Sequence, residues 1–134
     1  MIQEDYVSFE LAKKLKEKGF PQEELLPENS YDASGNYPAS MQDLMLYHGF
    51  CCYRPSLYVA QKWLREEKNL CINVDCNTIV TDTGKEYYAT IINHNKKLWG
   101  ISGRIMYEIV QNPVRYSTYK EALEAGIEKA LELI

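Results

Sequence analysis

Thr118-Tyr-Lys-Glu-Ala-Leu-Glu-Ala-Gly-Ile-Glu-Lys-Ala-Leu-Glu-Leu-Ile134 is the stretch from which the rest of the chain can be read. Thr118 and Glu121 stand at capping-box spacing, where each side chain satisfies the other's free backbone N–H at a helix start. Ala122, Leu123, Ile127, Ala130, Leu131 and Ile134 recur with a 3.6-residue period, while Lys120, Glu124, Glu128 and Glu132 face away. A helix with one apolar stripe needs a surface to lie on. Gly126 falls inside the stripe, where glycine costs about 1 kcal/mol relative to alanine. Close approach of a neighbouring element accounts for it, so leucine at this position is predicted to clash and alanine to be tolerated.

The surface comes from the preceding segment. Leu70–Val80 reads as a strand bent near Asp75–Asn77, Asp82–Gly84 as a turn, and Glu86–Asn93 as a second strand rich in β-branched and aromatic residues. His94-Asn95-Lys96 reads as another turn before a strand at Leu98–Ile101. Ser102-Gly103 permits a reversal into Arg104–Gln111, which Asn112-Pro113 ends. Sequential strands joined by tight turns make an antiparallel meander.

Upstream, Ser8 caps a first helix running to about Lys18, with Phe9, Ala12 and Leu15 on one side. Gly19 suits the left-handed position after a helix, and Phe20-Pro21 ends it. Residues 21–39, with Pro21, Pro27, Pro38 and Ser34-Gly35-Asn36, read as a loop with one helical turn at Glu23–Leu26. A short helix is expected over Met41–His48, with Ser40 and Asp43 at capping spacing and Gly49 closing it; Phe50–Tyr53 reads as a brief strand or connector. Pro55 opens a helix to about Lys68, placing Leu57, Ala60, Trp63, Leu64 and Glu67 on one face, and Asn69 stops it. The order α-loop-α-β-β-β-(β)-α predicts an α+β fold of two layers, a three- to four-stranded antiparallel meander with helices packed on one face. At 134 residues one domain, 1–134, is expected.

Hydrophobic residues make up 46% and charged residues 25%, the balance of a globular chain rather than a disordered one. The net charge of −4, without a basic stripe, disfavours nucleic acid as the main partner. No run reaches the ~18 apolar residues of a membrane span, and Met1–Phe20 lacks the pattern of a signal peptide. A cytoplasmic protein is expected, with Cys51, Cys52, Cys71 and Cys76 as thiols.

No glycine-rich phosphate loop, serine elbow, H-E-x-x-H or paired-carboxylate motif is present. Cys71-x4-Cys76 and the vicinal Cys51-Cys52 do not offer the usual spacing of a structural zinc site, and strand cysteines pack as small hydrophobes. A cysteine nucleophile served by His48 or His94 has no local signature of an orienting third group. No catalytic, cofactor-binding or metal-ligating residue is therefore assigned. Eleven of the sixteen aromatic residues are tyrosine, a side chain suited to half-wet protein contacts. Tyr31, Tyr37, Tyr47 and Tyr53 crowd a loop-rich region, and Tyr58, Lys62 and Arg65 follow at helical spacing. These seven form the expected contact surface for a protein partner, and an exposed sheet edge could support a homodimer. Two alternatives follow from the same residues: nucleic-acid binding through Tyr58, Lys62 and Arg65, and a cysteine-dependent enzyme.

The segments Tyr6–Phe20, Pro55–Glu66, containing Trp63-Leu64-Arg65-Glu66, and Tyr119–Ile134 resemble the helices of short uncharacterised proteins of gut bacteria and of their phages and mobile elements. The resemblance covers the three helices and their order. It implies an accessory, phage-linked role, and carries no activity or catalytic residue with it.

Overall fold

A computed structural model describes residues 3–22, 27–37, 49–77, 84–100 and 103–134. The expected helical turn at Glu23–Leu26 and the expected helix over Met41–His48 lie outside these residues, as do Tyr47 and His48. The fold is α+β. Two compact units divide the chain, Met1–Ala60 and Gln61–Ile134.

In the first unit, α1 (Phe9–Glu17) is capped by Ser8, whose hydroxyl accepts from Leu11 N–H at 3.3 Å. It ends in a Schellman motif: Gly19, at φ +93, donates to Lys16 C=O at 3.1 Å, and Phe20 donates to Leu15 C=O at 2.9 Å. Phe20 is buried, as are Leu11, Ala12 and Leu15. After a 3-10 turn at Pro27–Asn29, β1 (Ser30–Asp32) pairs antiparallel with β2 (Phe50–Tyr53), against which α1 packs. This small sheet resolves the choice at Phe50–Tyr53 in favour of a strand. It also places a strand inside the segment read as loop, because three residues are too few to display a period.

The next helix, α2, spans Leu57–Glu67 and starts two residues later than the proline signal suggests. Ser56 takes the capping role, its hydroxyl accepting from Val59 N–H at 3.1 Å. Pro55 instead belongs to an extended segment whose carbonyl accepts from Val7 N–H at 3.1 Å, while Leu57 N–H donates to Asp5 C=O at 2.9 Å. Asn69, at φ +56, takes the left-handed position that ends the helix. Leu57, Ala60 and Leu64 are fully buried, whereas Trp63 is only half-buried, with the Lys68 ammonium 5.3 Å from its ring centre.

The second unit is the meander. β3 (Leu70–Cys76), β4 (Tyr87–Trp99) and β5 (Ile105–Gln111) form one antiparallel sheet in that order. α3 (Tyr119–Glu132) packs on β3 and β4, and Ala122, Leu123, Gly126, Ile127, Ala130 and Leu131 are buried. On the sheet, Ile72 opposite Ile91 and Val74 opposite Ala89 share a face. Ile72, Ala89 and Ile91 are buried there. The start of α3 is half of a capping box. Thr118 Oγ1 accepts from Glu121 N–H at 3.1 Å, but the Glu121 carboxylate accepts from the hydroxyls of Thr118 (3.0 Å) and Ser117 (3.3 Å).

His94-Asn95-Lys96 does not reverse the chain. β4 runs through it as one strand, and the three residues bulge out between Asn93, opposite Glu108, and Lys97, opposite Tyr107. The turn chemistry is used locally instead. Asn93 Oδ1 accepts from Asn95 N–H at 3.0 Å, and Asn95 Nδ2 donates to Lys68 C=O at 2.7 Å. His94 N–H reaches Asn69 C=O at 2.9 Å. The bulge thus supplies one donor each to the Lys68 and Asn69 carbonyls, which follow the end of α2 and have no helical partner. The true reversal comes at Gly100–Gly103, where Gly100 N–H donates to Arg104 C=O at 2.7 Å and Gly103 sits at φ +71.

Candidate interaction surface

The seven residues expected to form a contact surface separate into different roles. Tyr31 and Tyr37 join Tyr6 around Arg54. The guanidinium carbon lies 3.3 Å from the ring centre of Tyr37, 3.9 Å from that of Tyr6 and 5.7 Å from that of Tyr31. Tyr31 donates its hydroxyl to Val7 C=O at 2.5 Å and Tyr37 donates to Glu28 C=O at 2.8 Å. Arg54 Nε and Nη1 are buried without a hydrogen-bond partner among the described residues, and there the aromatic faces take the place of acceptors. Two of the expected contact tyrosines therefore hold their own unit together. Tyr53 does likewise, half-buried with its ring stacked on Phe20 at 6.0 Å. Tyr58, Lys62 and Arg65 are exposed along α2, but Glu66 and Glu67 are exposed beside them and dilute any attraction for phosphate. Tyr47 lies outside the described residues.

The surface that stands out is one the sequence reading passed over. A 13-residue strand extends roughly 40 Å, whereas a 14-residue helix is only about 20 Å long, so α3 can cover about half of β4. Burial follows that arithmetic. Ala89, Ile91 and Asn93 are buried in the first half of β4, and every residue from His94 to Trp99 is exposed. Beyond the bulge, Trp99 pairs with Ile105 and Leu98 with Met106. Trp99 is 81% exposed, Ile105 56%, Ile109 53% and Met106 52%. Tyr107 carries the His94 ring 4.4 Å from its own. Trp99, Ile105, Tyr107 and Ile109 share one face, and Leu98 and Met106 lie on the other. Charge enters at exposed Lys97, opposite Tyr107, and at the base, where Glu108 accepts from Asn93 Nδ2 at 3.5 Å and pairs with Lys96 at 3.6 Å. The signal in sequence was the absence of alternation in Ile105-Met106-Tyr107, where a half-buried strand would set polar residues between apolar ones.

Chemistry-bearing side chains do not gather elsewhere among the described residues. The four cysteines are free thiols. Cys52 is fully buried and Cys51 and Cys71 are half-buried, but Cys76 is exposed at the end of β3, contrary to the expectation of buried strand thiols. Burial pushes the Cys52 thiol from its ordinary 9.0 up to about 12, with Cys51 adding to the shift and Lys16 and Lys13 opposing it. The thiolate that nucleophilic chemistry requires is thereby disfavoured at neutral pH. A maleimide at pH 7 is expected to label Cys76 first and Cys52 only on unfolding; early labelling of Cys52 contradicts this. A thiol held neutral in the fold contributes stability below the unfolded value near 9, and loses it as pH rises towards 12. No three His, Cys, Asp or Glu side chains converge on a metal-binding point among the described residues. A depression of about 240 Å³ between residues 111–116 and α3 is lined by Gln111, Asn112, Tyr116 and the Lys129–Glu132 ion pair, with no thiol or histidine. No helix among the described residues is long and apolar enough to cross a membrane.

Comparison of the chain with protein-family models, with curated proteins and with solved structures finds no match.

Proposed function

We propose that this chain is a non-catalytic protein-interaction module whose contact surface is the outer half of the β4–β5 hairpin. The observation that carries the reading is the set of large apolar side chains exposed on this hairpin: Trp99, Ile105, Tyr107 and Ile109 on the face turned away from α3, and Leu98 and Met106 on the other, past the stretch that α3 covers. Contiguous apolar area on this scale marks a surface that a protein partner covers. Charge within it is limited to Lys97, opposite Tyr107, with Lys96, Arg104 and Glu108 around it. An accessory role in phage or mobile-element biology, suggested by the resemblance of the helices, would be exercised through such a contact.

The test is affinity purification from the native host with an amine-reactive cross-linker. Partner cross-links are expected at Lys96 and Lys97, and the combined substitution Trp99→Glu and Ile105→Lys should reduce recovery of the partner at least tenfold, an effect of more than about 1.4 kcal/mol. Melting should be unchanged, because both side chains are exposed. Cross-links confined to lysines of α1, or full recovery with the double variant, would defeat the reading. Binding to nucleic acid that weakens steeply with salt and requires Lys62 and Arg65 would replace it.

A further inference from the structure

We propose that the partner of the hairpin is a second copy of this chain, joined by antiparallel pairing of β5 with β5 about a two-fold axis at Tyr107. The proposal rests on the reading of the hairpin as a contact surface and names the partner that meets its edge. β5 pairs with β4 on one side and with no strand on the other among the described residues. Its outer N–H and C=O groups are a template for one more strand.

Symmetry and register select the pairing. A two-fold contact sets residue i opposite j and j opposite i. Directly opposed residues point to the same face, so i and j are both odd or both even when the two sheets join into one. In the middle of β5 this leaves Tyr107 or Glu108 at the axis. An axis at Glu108 sets that carboxylate against its own copy, an unfavourable like-charge pair. An axis at Tyr107 sets Ile105 opposite the second copy's Ile109. Within one chain Trp99 already opposes Ile105, and Ile92 opposes Ile109. The joined sheet therefore carries the row Trp99, Ile105, Ile109, Ile92, with the last two from the second copy, and symmetry produces it twice. The same register brings Arg104 diagonally across from the second copy's Glu108, an opposite-charge neighbour at each end.

The pairing sets Ile105, 56% exposed, against the second copy's Ile109, 53% exposed, so two isoleucines that one chain leaves open cover each other at each end of the joint.

Sedimentation equilibrium of the full chain up to about 100 μM should show dimers, since a micromolar Kd leaves the chain mostly paired there. Ile105→Glu and Ile109→Lys should each weaken the dimer about tenfold alone, because each sets a charge against isoleucine. Mixed one to one they should pair again, since the carboxylate introduced in one chain then faces the ammonium introduced in the other, and the two remaining isoleucines face each other. Both positions are more than half exposed, so each variant should melt with the wild type. A wild-type chain that stays monomeric overturns the proposal, as does a dimer indifferent to both substitutions or a mixture that fails to recover. If the chain is monomeric while host cross-links still map to Lys97, the hairpin keeps its role as a contact surface and the second copy is excluded. If neither association is found, both readings fall.

Discussion

Gly126→Leu is expected to unfold the 61–134 unit at 25 °C, and Gly126→Ala to destabilise it by about 1–2 kcal/mol. The first part follows from the apolar stripe of α3, in which Gly126 is buried between Leu123, Ile127 and Ala130. The second corrects the expectation that alanine is tolerated there. A Cβ on Gly126 would lie 2.8 Å from Ile72 Cγ2 and 2.9 Å from Ala89 Cβ, both closer than carbon atoms pack. Neither atom is the end of a flexible side chain. Ile72 Cγ2 branches at its own Cβ, and Ala89 Cβ moves only with the backbone of β4. Alanine gains about 1 kcal/mol of helix propensity over glycine, but overpacking a well-filled core costs about 1–3 kcal/mol. The clash is two-sided, so the loss outweighs the gain. Leucine adds three further carbons to a site that cannot accept one, and the cost then approaches the 5–15 kcal/mol that stabilises a whole domain. Urea denaturation followed by circular dichroism measures the alanine variant directly. A double-mutant cycle with Ile72→Ala locates the cause: the cavity left at Ile72 should relieve part of the cost of alanine at 126, giving a favourable coupling of at least about 0.5 kcal/mol. Wild-type stability in Gly126→Ala would mean that α3 stands farther from the sheet than these distances state.

Gly126 also shows how far the sequence could be read. Its place in the stripe predicted close approach, because periodicity fixes which side of a helix is covered. Periodicity does not fix the gap between layers, and that gap decides between alanine and leucine. The same division holds along the chain. Ser8, Gly19, Asn69 and Thr118 were legible because caps act within four residues of themselves. His94-Asn95-Lys96 does not reverse the chain because the His94 N–H and the Asn95 side chain answer to Asn69 and Lys68, about 26 residues away, and a local turn signal does not say whether the chain turns or bulges. The candidate surface was missed for another reason. The tyrosines drew attention by number, but the four in 31–53 either meet partners within their own unit or, for Tyr47, lie outside the described residues. The hairpin required the sheet register and a comparison of lengths instead: Trp99, Ile105, Tyr107 and Ile109 fall on the face away from α3, and a strand of 13 residues outruns a helix of 14 by about half its own extent.

In the first unit the largest effect is expected at Asp32, where alanine should cost about 2–3 kcal/mol and asparagine about 1 kcal/mol or less. Asp32 is fully buried at the end of β1. Its Oδ1 accepts from Ser34 N–H at 2.8 Å and from Asn36 N–H at 2.9 Å, while its backbone C=O accepts from Gly35 N–H at 3.0 Å. One oxygen thereby closes a five-residue turn. The turn in turn sets Gly35, at φ +82, against the Phe9 ring, where a Cβ would come within 2.6 Å of Cδ2. Alanine removes both acceptors, and hydrogen bonds to a carboxylate are worth about 1.5–3 kcal/mol each before solvent recovers part of the loss at the exposed Ser34 and Asn36. Asparagine keeps an oxygen at the Oδ1 position. It also places an N–H₂ where Oδ2 now lies buried without a partner among the described residues, so the unsatisfied atom changes identity and not number. The difference between the two variants is the informative quantity, read as the shift in urea midpoint at constant slope. A loss for asparagine equal to that for alanine would show that the fold depends on what Oδ2 meets, and that the two-donor contact at Oδ1 is secondary.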